Sequence, residues 1–405
     1  MFYKAIVIGT GPSGLFVANC LSSTGINTLL LEKNKKLGRK LLASGSGQCN
    51  LTNSGNIESF FDKYGDNNNF IKNALLKFTN NDTLEFFKSL NVELEITQAG
   101  KVFPKNRDST EILDALVKSN KLNGTHIKSG VNIDKILEYD GIFYISFTTG
   151  ESYTTENLII ATGGVTYPHL GTDGFGHKIA LQFGHTITEI NPALTNIITQ
   201  EDAYKTISGV SFDNVSMTIW RDNKKVKTTQ GDLLFTHKGV SGPVILNSSR
   251  WIRKGDVLKF NLVNQLYEDV TKILEQDFRT YGKEQIITYI KRFNLPKSFV
   301  QVMFSQLNID YSINCASISK GQRKNLALFL THMPLTVKKL GDMAMVTSGG
   351  VNLKEINATS FESRKQKNLY FIGEVLDIDG DTGGYNIQAA FSMAYTCATY
   401  ISRRN

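Results

Sequence analysis

The hydrophobic pattern switches repeatedly between strand-like runs and helical spacing, and the order of the switches outlines a fold. KAIVIG (residues 4–9) is a continuous apolar, β-branched run of the kind that forms a strand buried on both faces. GTGPSG (9–14) follows without a gap, and SGLFVANCLSSTG then reads as one helix stopped by Gly25. INTLLLE (26–32) is a second strand, ending in Glu32. ESYTTENLIIATGG (151–164) reads as a polar hairpin arm, an apolar strand and a glycine turn, which makes a second crossover. Near the C-terminus, NLYFIGEVLDIDGDTGGYNIQAAFSMAYTCATYIS (368–402) predicts a strand, an acidic glycine-rich loop and a long apolar helix starting near Tyr385.

Between Pro192 and Pro334 the pattern changes. From 193 to about 263 it predicts short strands, TNIITQ, VSMTIWRD, KVKTTQ, DLLFTH and DVLKFNLV, separated by turn signals such as RDNKK and RKGD. From about 266 to 331 apolar residues recur at 3–4 spacing in LYEDVTKILEQDF, KEQIITYIKRF, KSFVQVMFSQL and KGQRKNLALFL, which predicts helices. AMVTSGGV (344–351) returns to the strand pattern of the two ends.

Strand, glycine turn, helix, strand and acid within about 30 positions form a dinucleotide-binding unit, a far more specific signal than G-x-G-x-x-G alone. Gly9 makes the tight turn, Gly11 lets the backbone approach a pyrophosphate, and Gly14 lets helix and strand pack closely. The helix N-terminus supplies N–H donors and a positive dipole end. Glu32 would accept hydrogen bonds from ribose hydroxyls and repel a 2′-phosphate, which disfavours NADP at this site. The return of the last 35 residues to the cofactor points to FAD over NAD, because an isoalloxazine reaches beyond the first βαβ unit. GTDGFG (171–176) has the wrong spacing for a second dinucleotide turn, so a nicotinamide reductant, NAD(P)H, would dock transiently in the substrate cleft.

Composition narrows the chemistry. With 405 residues, 41% apolar and 20% charged, the chain has the bulk for two or three ordinary globular domains. No apolar run approaches the ~18–20 residues of a membrane span, and the N-terminus reads as a strand rather than a signal peptide, so a cytoplasmic location is expected. Cys20, Cys49, Cys315 and Cys397 are far apart and form no C-x-x-C pair, which argues against a dithiol centre and a structural zinc site. Cys20 and Cys397 sit in apolar helical patterns; Cys49 does not. Neither a metal-spaced His/Asp/Glu cluster nor a G-x-S-x-G elbow occurs, so no metal is expected. Residues 191–335 carry 19 basic and 12 acidic groups, and the surplus suits either a solvated surface or a polyanion such as RNA.

GRKLLASGSGQCNLTN (38–53), ATGGVTYPHLGTDGFGHKIA, LLFTHKGVSGPVIL and GEVLDIDGDTGGYNIQAAFS together resemble the YhiN/BaiN-like family of bacterial flavoproteins, also called the aminoacetone oxidase family, from residue 4 to about 400. Gln48 departs from the family pattern, which commonly has arginine there. The resemblance implies an α/β fold: a Rossmann-like FAD-binding domain (1–190 and 336–405), a small β-barrel-like domain inserted in it (191–265 and 332–345), and a helical domain within that (266–331).

The residues expected to hold FAD fall into four groups. The first turn and strand give Gly9, Gly11, Pro12, Ser13, Gly14, Glu32 and Lys33. The cysteine loop gives Lys40, Ser44, Gly45, Gly47, Cys49 and Asn50. Val131 joins Ala161, Thr162, Gly163 and Gly164 at the second crossover. The last loop gives Gly373, Glu374, Asp377, Gly383, Gly384, Tyr385, Asn386 and Ile387, with the backbone N–H groups of Tyr385 and Asn386 facing the flavin carbonyls. Around the cleft, the side chains to weigh are Cys49, Asn50, Tyr167, His169, His237, Lys238 and Tyr385. Cys49 reads either as a proton donor beside a carbon receiving hydride from flavin N5 or as a small residue that fits under the ring. His237 reads as a proton carrier or as a hydrogen-bonded structural histidine, and Tyr167 as a stacking partner for an unstacked base.

Three functions are compatible with this reading. The first is FAD-dependent reduction of an electron-poor C=C bond. The resemblance implies this activity on a ribosomal RNA uracil, giving dihydrouridine, or on steroid-like enones; only the RNA version uses the basic segment. The second is oxidation of an aminoketone such as aminoacetone. The third is a flavin-bearing binding module that senses redox state without catalysis.

Overall fold

The computed structural model describes residues 1–404, which form two compact units. The first comprises Met1–Ala193 and the chain from Met345 onward; the second is Leu194–Ala344.

The first unit is built on a seven-stranded mixed sheet. In spatial order its strands are His126–Ser129, Thr28–Glu32, Phe2–Ile8, Ser152–Ile160, Ile142–Phe147 and Ile133–Tyr139, and Leu369–Phe371 also pairs with Ser152–Ile160. Phe2–Ile8 is parallel to both neighbours, with Val7 opposite Leu30 and Ile8 opposite Ile160. Phe371 lies parallel to Ile160 as well, so the first, second and last crossovers all end at one edge of the sheet. The expected hairpin arm and strand at 151–160 are a single strand, whose first half pairs antiparallel with Ile142–Phe147.

Two helices cover the parallel strands. Pro12–Ser23 and Tyr385–Ser402 meet through Phe16, whose ring centroid is 5.0 Å from that of Phe391. Both helices are buried over most of their length, which explains why neither shows a polar face in the sequence. Burial of each large apolar side chain there contributes about 1.5–3 kcal/mol. Gly14 sits where a Cβ would lie 1.8 Å from the Gly9 carbonyl oxygen, so helix and strand approach to a distance that only glycine permits.

The second unit is a closed six-stranded antiparallel barrel with helices packed on it. The barrel order is Ile197–Thr199, Gly239–Ser241, Lys224–Thr236, Ser211–Arg221, Val257–Asn261 and Met333–Leu340. The expected strands KVKTTQ and DLLFTH are one strand, Lys224–Thr236, continuous through Gln230 and Gly231. Barrel closure overrides the local turn signal: Val215 opposite Gly231 and Ser216 opposite Gln230 hold the chain extended, with a register shift just before them. Helices Tyr267–Thr280, Lys297–Gln306 and Lys320–His332 match the periodicity. KEQIITYIKRF forms only Ile286–Tyr289 and a 3-10 turn, Ile290–Phe293, ending at Asn294 in a left-handed conformation. Barrel and helices share one core, in which Met217, Phe260 and Leu335 belong to the same cluster as Phe299 and Leu330.

The four cysteines are free thiols. Among the described residues no helix is long and apolar enough to cross a membrane, and no group of His, Cys, Asp or Glu could hold a metal.

Candidate functional site

The first glycine turn has the geometry its sequence requires. Gly9 is left-handed (φ +108°), and a Cβ there would lie 2.4 Å from the Ala161 carbonyl oxygen. The GTGPSG and ATGG turns therefore abut, bringing Ala161, Thr162 and Gly163 alongside the first. Gly11 is different: its backbone is ordinary (φ −70°, ψ −177°), and a Cβ there would meet nothing within 4 Å. Helix Pro12–Ser23 starts at Gly11 with no side-chain cap, so its first N–H groups point outward unpaired by a side chain.

Glu32 is more heavily engaged than its ribose-binding role suggested. Its Oε2 accepts from Thr10 N (3.2 Å) and Thr10 Oγ1 (2.5 Å), and its Oε1 from Asn34 N (2.9 Å) and Nδ2 (2.8 Å). A carboxylate offers about four acceptor positions, so a ribose hydroxyl would share with or replace one of these donors. Thr10 Oγ1 also accepts from Gly38 N (3.1 Å), tying the turn to the start of the cysteine loop. Lys33 pairs with Asp173 at 2.7 Å, and Val131 N donates to Glu32 O at 3.2 Å.

The cysteine loop is wound left-handed. Gly45 (φ +56°), Ser46 (+57°), Gly47 (+87°) and Cys49 (+56°) are all in that region, and Cys49 N closes the turn onto Ser44 O at 3.0 Å. A left-handed Ser or Cys is uncommon and costs roughly 1 kcal/mol or more, strain of the kind that collects at functional sites. The turn drives the Cys49 side chain inward until it is fully buried in the core cluster. Burial pushes the thiol up to about 12, against a weaker opposing hydrogen bond with Ser44, so Cys49 holds its proton throughout the neutral range. Next to it, Asn50 Oδ1 is buried with no hydrogen-bond partner.

The C-terminal loop packs onto this one. Gly384 (φ +99°) leaves no room for a Cβ, which would lie 2.4 Å from the backbone of Thr52. Tyr64 Oη donates to Tyr385 O at 3.0 Å, and the Phe60 ring meets the Tyr385 ring edge-on at 4.9 Å. Asn386 closes its own loop, accepting from Gly380 N at 2.7 Å and donating to Gly380 O at 2.8 Å. Its side chain is thereby spent on the fold. Helix Tyr385–Ser402, like the first, begins with no side-chain cap.

A polar cluster links these pieces. Lys40 Nζ donates to Glu374 Oε2 (2.6 Å) and Thr166 Oγ1 (2.8 Å), and Glu374 Oε1 accepts from Thr347 N (2.7 Å). Thr347 Oγ1 accepts from Val165 N at 2.9 Å, directly beside Gly164. Asp377 Oδ1 accepts from Gly349 N at 3.0 Å.

FAD can be tested against this arrangement, and the residues fit it. Two uncapped helix N-termini, open space in front of Gly11 and the unpartnered Asn50 Oδ1 offer donors and an acceptor of the kind a dinucleotide needs. Gly11, Pro12 and Ser13 would hold the pyrophosphate, Glu32 the ribose, and the loops 44–50 and 383–387 the isoalloxazine. Thr162 Oγ1, beside Gly176 on the following helix, is likewise buried without a hydrogen-bond partner.

The chain matches the HI0933-like protein Rossmann domain family over residues 3–400. It belongs to that family. Among its relatives, the ribosomal RNA dihydrouridine synthase of Haemophilus influenzae is 33% identical over 100% of this chain and 99% of its own length. The 3-dehydro-bile acid delta(4,6)-reductase of Clostridium scindens is 28% identical over 98% of both chains. In fold, the chain resembles the 3-ketosteroid delta1-dehydrogenase of Sterolibacterium denitrificans (TM-score 0.52, 10% identity, all of both chains). This HI0933-like chain is accordingly an FAD-dependent oxidoreductase.

Among the three residues considered for catalysis, Cys49 and Tyr167 lie in the first unit of the HI0933-like fold and His237 in the second. His237 is exposed in the turn before Gly239–Ser241 and has no hydrogen-bond partner among the described residues. Tyr167 is left-handed (φ +58°) and half-buried, with Lys40 Nζ 6.0 Å from its ring centroid and the exposed His169 ring at 5.9 Å. Gln48 is not without a cation nearby: Arg107 Nη1 donates to its Oε1 at 3.4 Å. Arg107 is held by Glu95 (3.1 Å) and stacked 4.1 Å from the Phe103 centroid. Sequence reasoning missed Thr10, Asn34, Arg107 and Thr347. Thr10 alone had a signal, as the residue between two fingerprint glycines.

Proposed function

We propose that the chain reduces an electron-poor C=C bond of a uridine in ribosomal RNA, giving dihydrouridine. The observation that carries the RNA reading is the distribution of charge. The second unit holds 21 basic and 13 acidic residues, a net of +8, while the first holds 24 of each. All the net charge of the chain thus belongs to the second unit, where it serves to neutralise phosphates. The relative named for ribosomal RNA dihydrouridine synthesis, alike over its full length, supports the same reading.

When bound, FAD supplies a hydride to one carbon of the double bond, with NAD(P)H as the transient reductant. The protein's part is to bind, orient and deliver a proton. The uncapped N-termini of Pro12–Ser23 and Tyr385–Ser402 hold the anionic and carbonyl parts of the cofactor. Cys49 Sγ keeps a proton at neutral pH and is the candidate in the glycine loop to give one up to the second carbon, for which the loop would have to uncover its buried side chain. Tyr167, held left-handed at the mouth of the ATGG turn, offers a ring for an unstacked uracil. His237 is kept as a second candidate for proton delivery or substrate contact. Such an enzyme works in the cytoplasm, with ribosomal RNA as its partner.

A steroid-like enone is the second reading, favoured by the 28% identity to the bile-acid reductase. It uses the same cofactor unit but leaves the basic unit without a role. The test is to incubate the FAD-loaded protein with NADPH and an unmodified transcript of large-subunit ribosomal RNA, then to quantify nucleosides by mass spectrometry. Dihydrouridine above the no-enzyme control supports the RNA reading. Its absence, alongside turnover of a 3-keto-4-ene steroid, would transfer the assignment to small enones.

A further inference from the structure

The basic surplus of the second unit is concentrated at one rim of the barrel, and both tryptophans of the chain are there. Residues 221–227 and 250–259 there include eight basic and two acidic side chains. One of the acids, Asp256, is buried and already matched: Arg221 forks onto it, Nε to Oδ1 at 2.8 Å and Nη2 to Oδ2 at 2.9 Å. The same Nη2 donates to Trp251 O at 2.8 Å, which ties the second tryptophan to the end of the strand that carries the first.

Trp220 projects from the outer face of Ser211–Arg221, since its neighbours Met217 and Ile219 face the barrel core. Its Nε1 donates to Thr218 Oγ1 at 3.0 Å, fixing the ring plane along the strand. Lys259 Nζ lies 4.3 Å from the Trp220 ring centroid, and Lys225 is directly opposite Trp220 in register. Lys227 and Arg250 stand over Trp251 at 4.4 and 5.3 Å. Lys224, Lys225 and Lys254 are exposed and make no ion pair among the described residues.

We propose that this rim docks an unpaired segment of RNA, with a base stacked on Trp220 and phosphates on Lys224, Lys225, Lys254 and Lys259. The proposal rests on the ribosomal RNA reading and names the surface that would serve it. An ammonium held over a half-buried ring such as Trp220 is a weaker partner than a base stacked on the same ring. An arriving base therefore displaces Lys259 from Trp220 and frees its charge for the backbone. Interleaved flat rings and cations are the arrangement by which single-stranded nucleic acid is gripped without sequence readout. An anionic lipid surface would use the charge but not a ring pinned flat along its strand.

The test uses the full-length, FAD-loaded protein and a fluorescein-labelled 20-nucleotide oligouridylate, with anisotropy read between 50 and 200 mM KCl. Four phosphate contacts predict a slope of log K against log salt near about −3, and Lys224→Gln with Lys225→Gln reduces it by about 1.4. Trp220→Ala weakens binding about 5- to 150-fold with little change in slope, and Trp220→Tyr restores most of it. Variants that bind with wild-type affinity and slope overturn the proposal, as does a wild type that fails to bind. So does binding to phosphatidylglycerol vesicles, but not to RNA, that the same substitutions abolish.

The transcript assay separates this idea from the functional reading. Dihydrouridine formed equally well by wild type and variants removes the rim and leaves the function standing. Oligouridylate binding lost in the variants, with no dihydrouridine from any of them, keeps the rim and removes the function.

Discussion

Gly11→Ala isolates the cofactor from the fold. In this structure a Cβ at position 11 meets no protein atom within 4 Å and the backbone is ordinary, so the apoprotein has no steric reason to object. Stability of the apo chain should stay within about 0.5–1 kcal/mol of wild type, a small capping loss set against a less flexible unfolded chain. The methyl instead enters the space into which the first helix directs its N–H groups. Displacing a phosphate by a methyl radius breaks at least one charge-assisted hydrogen bond, worth about 1.5–3 kcal/mol, which is about 10- to 150-fold in affinity for FAD. Gly14→Ala is the contrast. Its Cβ would lie 1.8 Å from Gly9 O, and since such contacts essentially never fall below 3.0 Å, helix and strand must separate by more than 1 Å. That change should destabilise even the apoprotein by about 3 kcal/mol or more. The assay is thermal unfolding of apoprotein with FAD titrated in, where wild type gains about 2.7 kcal/mol at 100 times its Kd. A Gly11→Ala protein that binds FAD as tightly as wild type refutes the placement of the pyrophosphate.

Three further perturbations probe the rest of the site. Burial pushes the folded Cys49 thiol up to about 12 from an ordinary value of 9.0. The folded chain therefore binds more protons between those values, and this part of its stability, complete below pH 9, declines as pH rises toward 12. Cys49→Ala should thus lose about 2 kcal/mol less than wild type between pH 8 and 10.5 in urea titrations; equal losses would mean the thiol titrates freely. Gly384→Ala puts a Cβ 2.4 Å from the Thr52 backbone at φ +99° and should destabilise the chain by at least about 3 kcal/mol, seen as a lowered urea midpoint. Lys40→Met removes a 2.6 Å ion pair with Glu374 whose side chains are 23% and 19% exposed, and should cost about 1 kcal/mol. A double-mutant cycle with Glu374→Gln that shows no coupling would dismiss the pair as a fastener of the two loops.

The parts of the site written in local backbone requirements were legible from sequence. Gly9 and Gly14 have conformational or steric jobs defined within one strand–turn–helix, so their spacing was enough; Gly11 has neither, and its job would be toward the cofactor alone. Side-chain partnerships across the fold were not legible. Nothing at Asn34 announces that it will take half of Glu32, and Arg107 reaches Gln48 only because a loop 59 residues further on folds back over Phe103. Cys49 shows the limit most clearly. Its place outside any apolar periodicity left it either a proton donor or a small residue under the ring, and a run of left-handed residues turns its side chain into the core. In the barrel the error ran the other way: closure carried Lys224–Thr236 straight through a sequence that locally favours a turn.

The cofactor unit is assembled from both ends of the chain, with Gly9, Glu32 and Cys49 before the second unit and Glu374 and Gly384 after it. The four donors on Glu32, the Gly384–Thr52 contact and the Lys40–Glu374 pair are all internal to that unit. Charge and shape in 194–344 can therefore change without disturbing the groups that would hold the flavin. A neutral enone would place no demand for positive charge on that segment, whereas RNA would demand it. The first unit, with equal numbers of acidic and basic residues, indicates that the +8 of the second is not a drift of overall composition. It is confined to the part of the chain free to specify a substrate, and its concentration around Trp220 and Trp251 favours a polyanion with exposed bases.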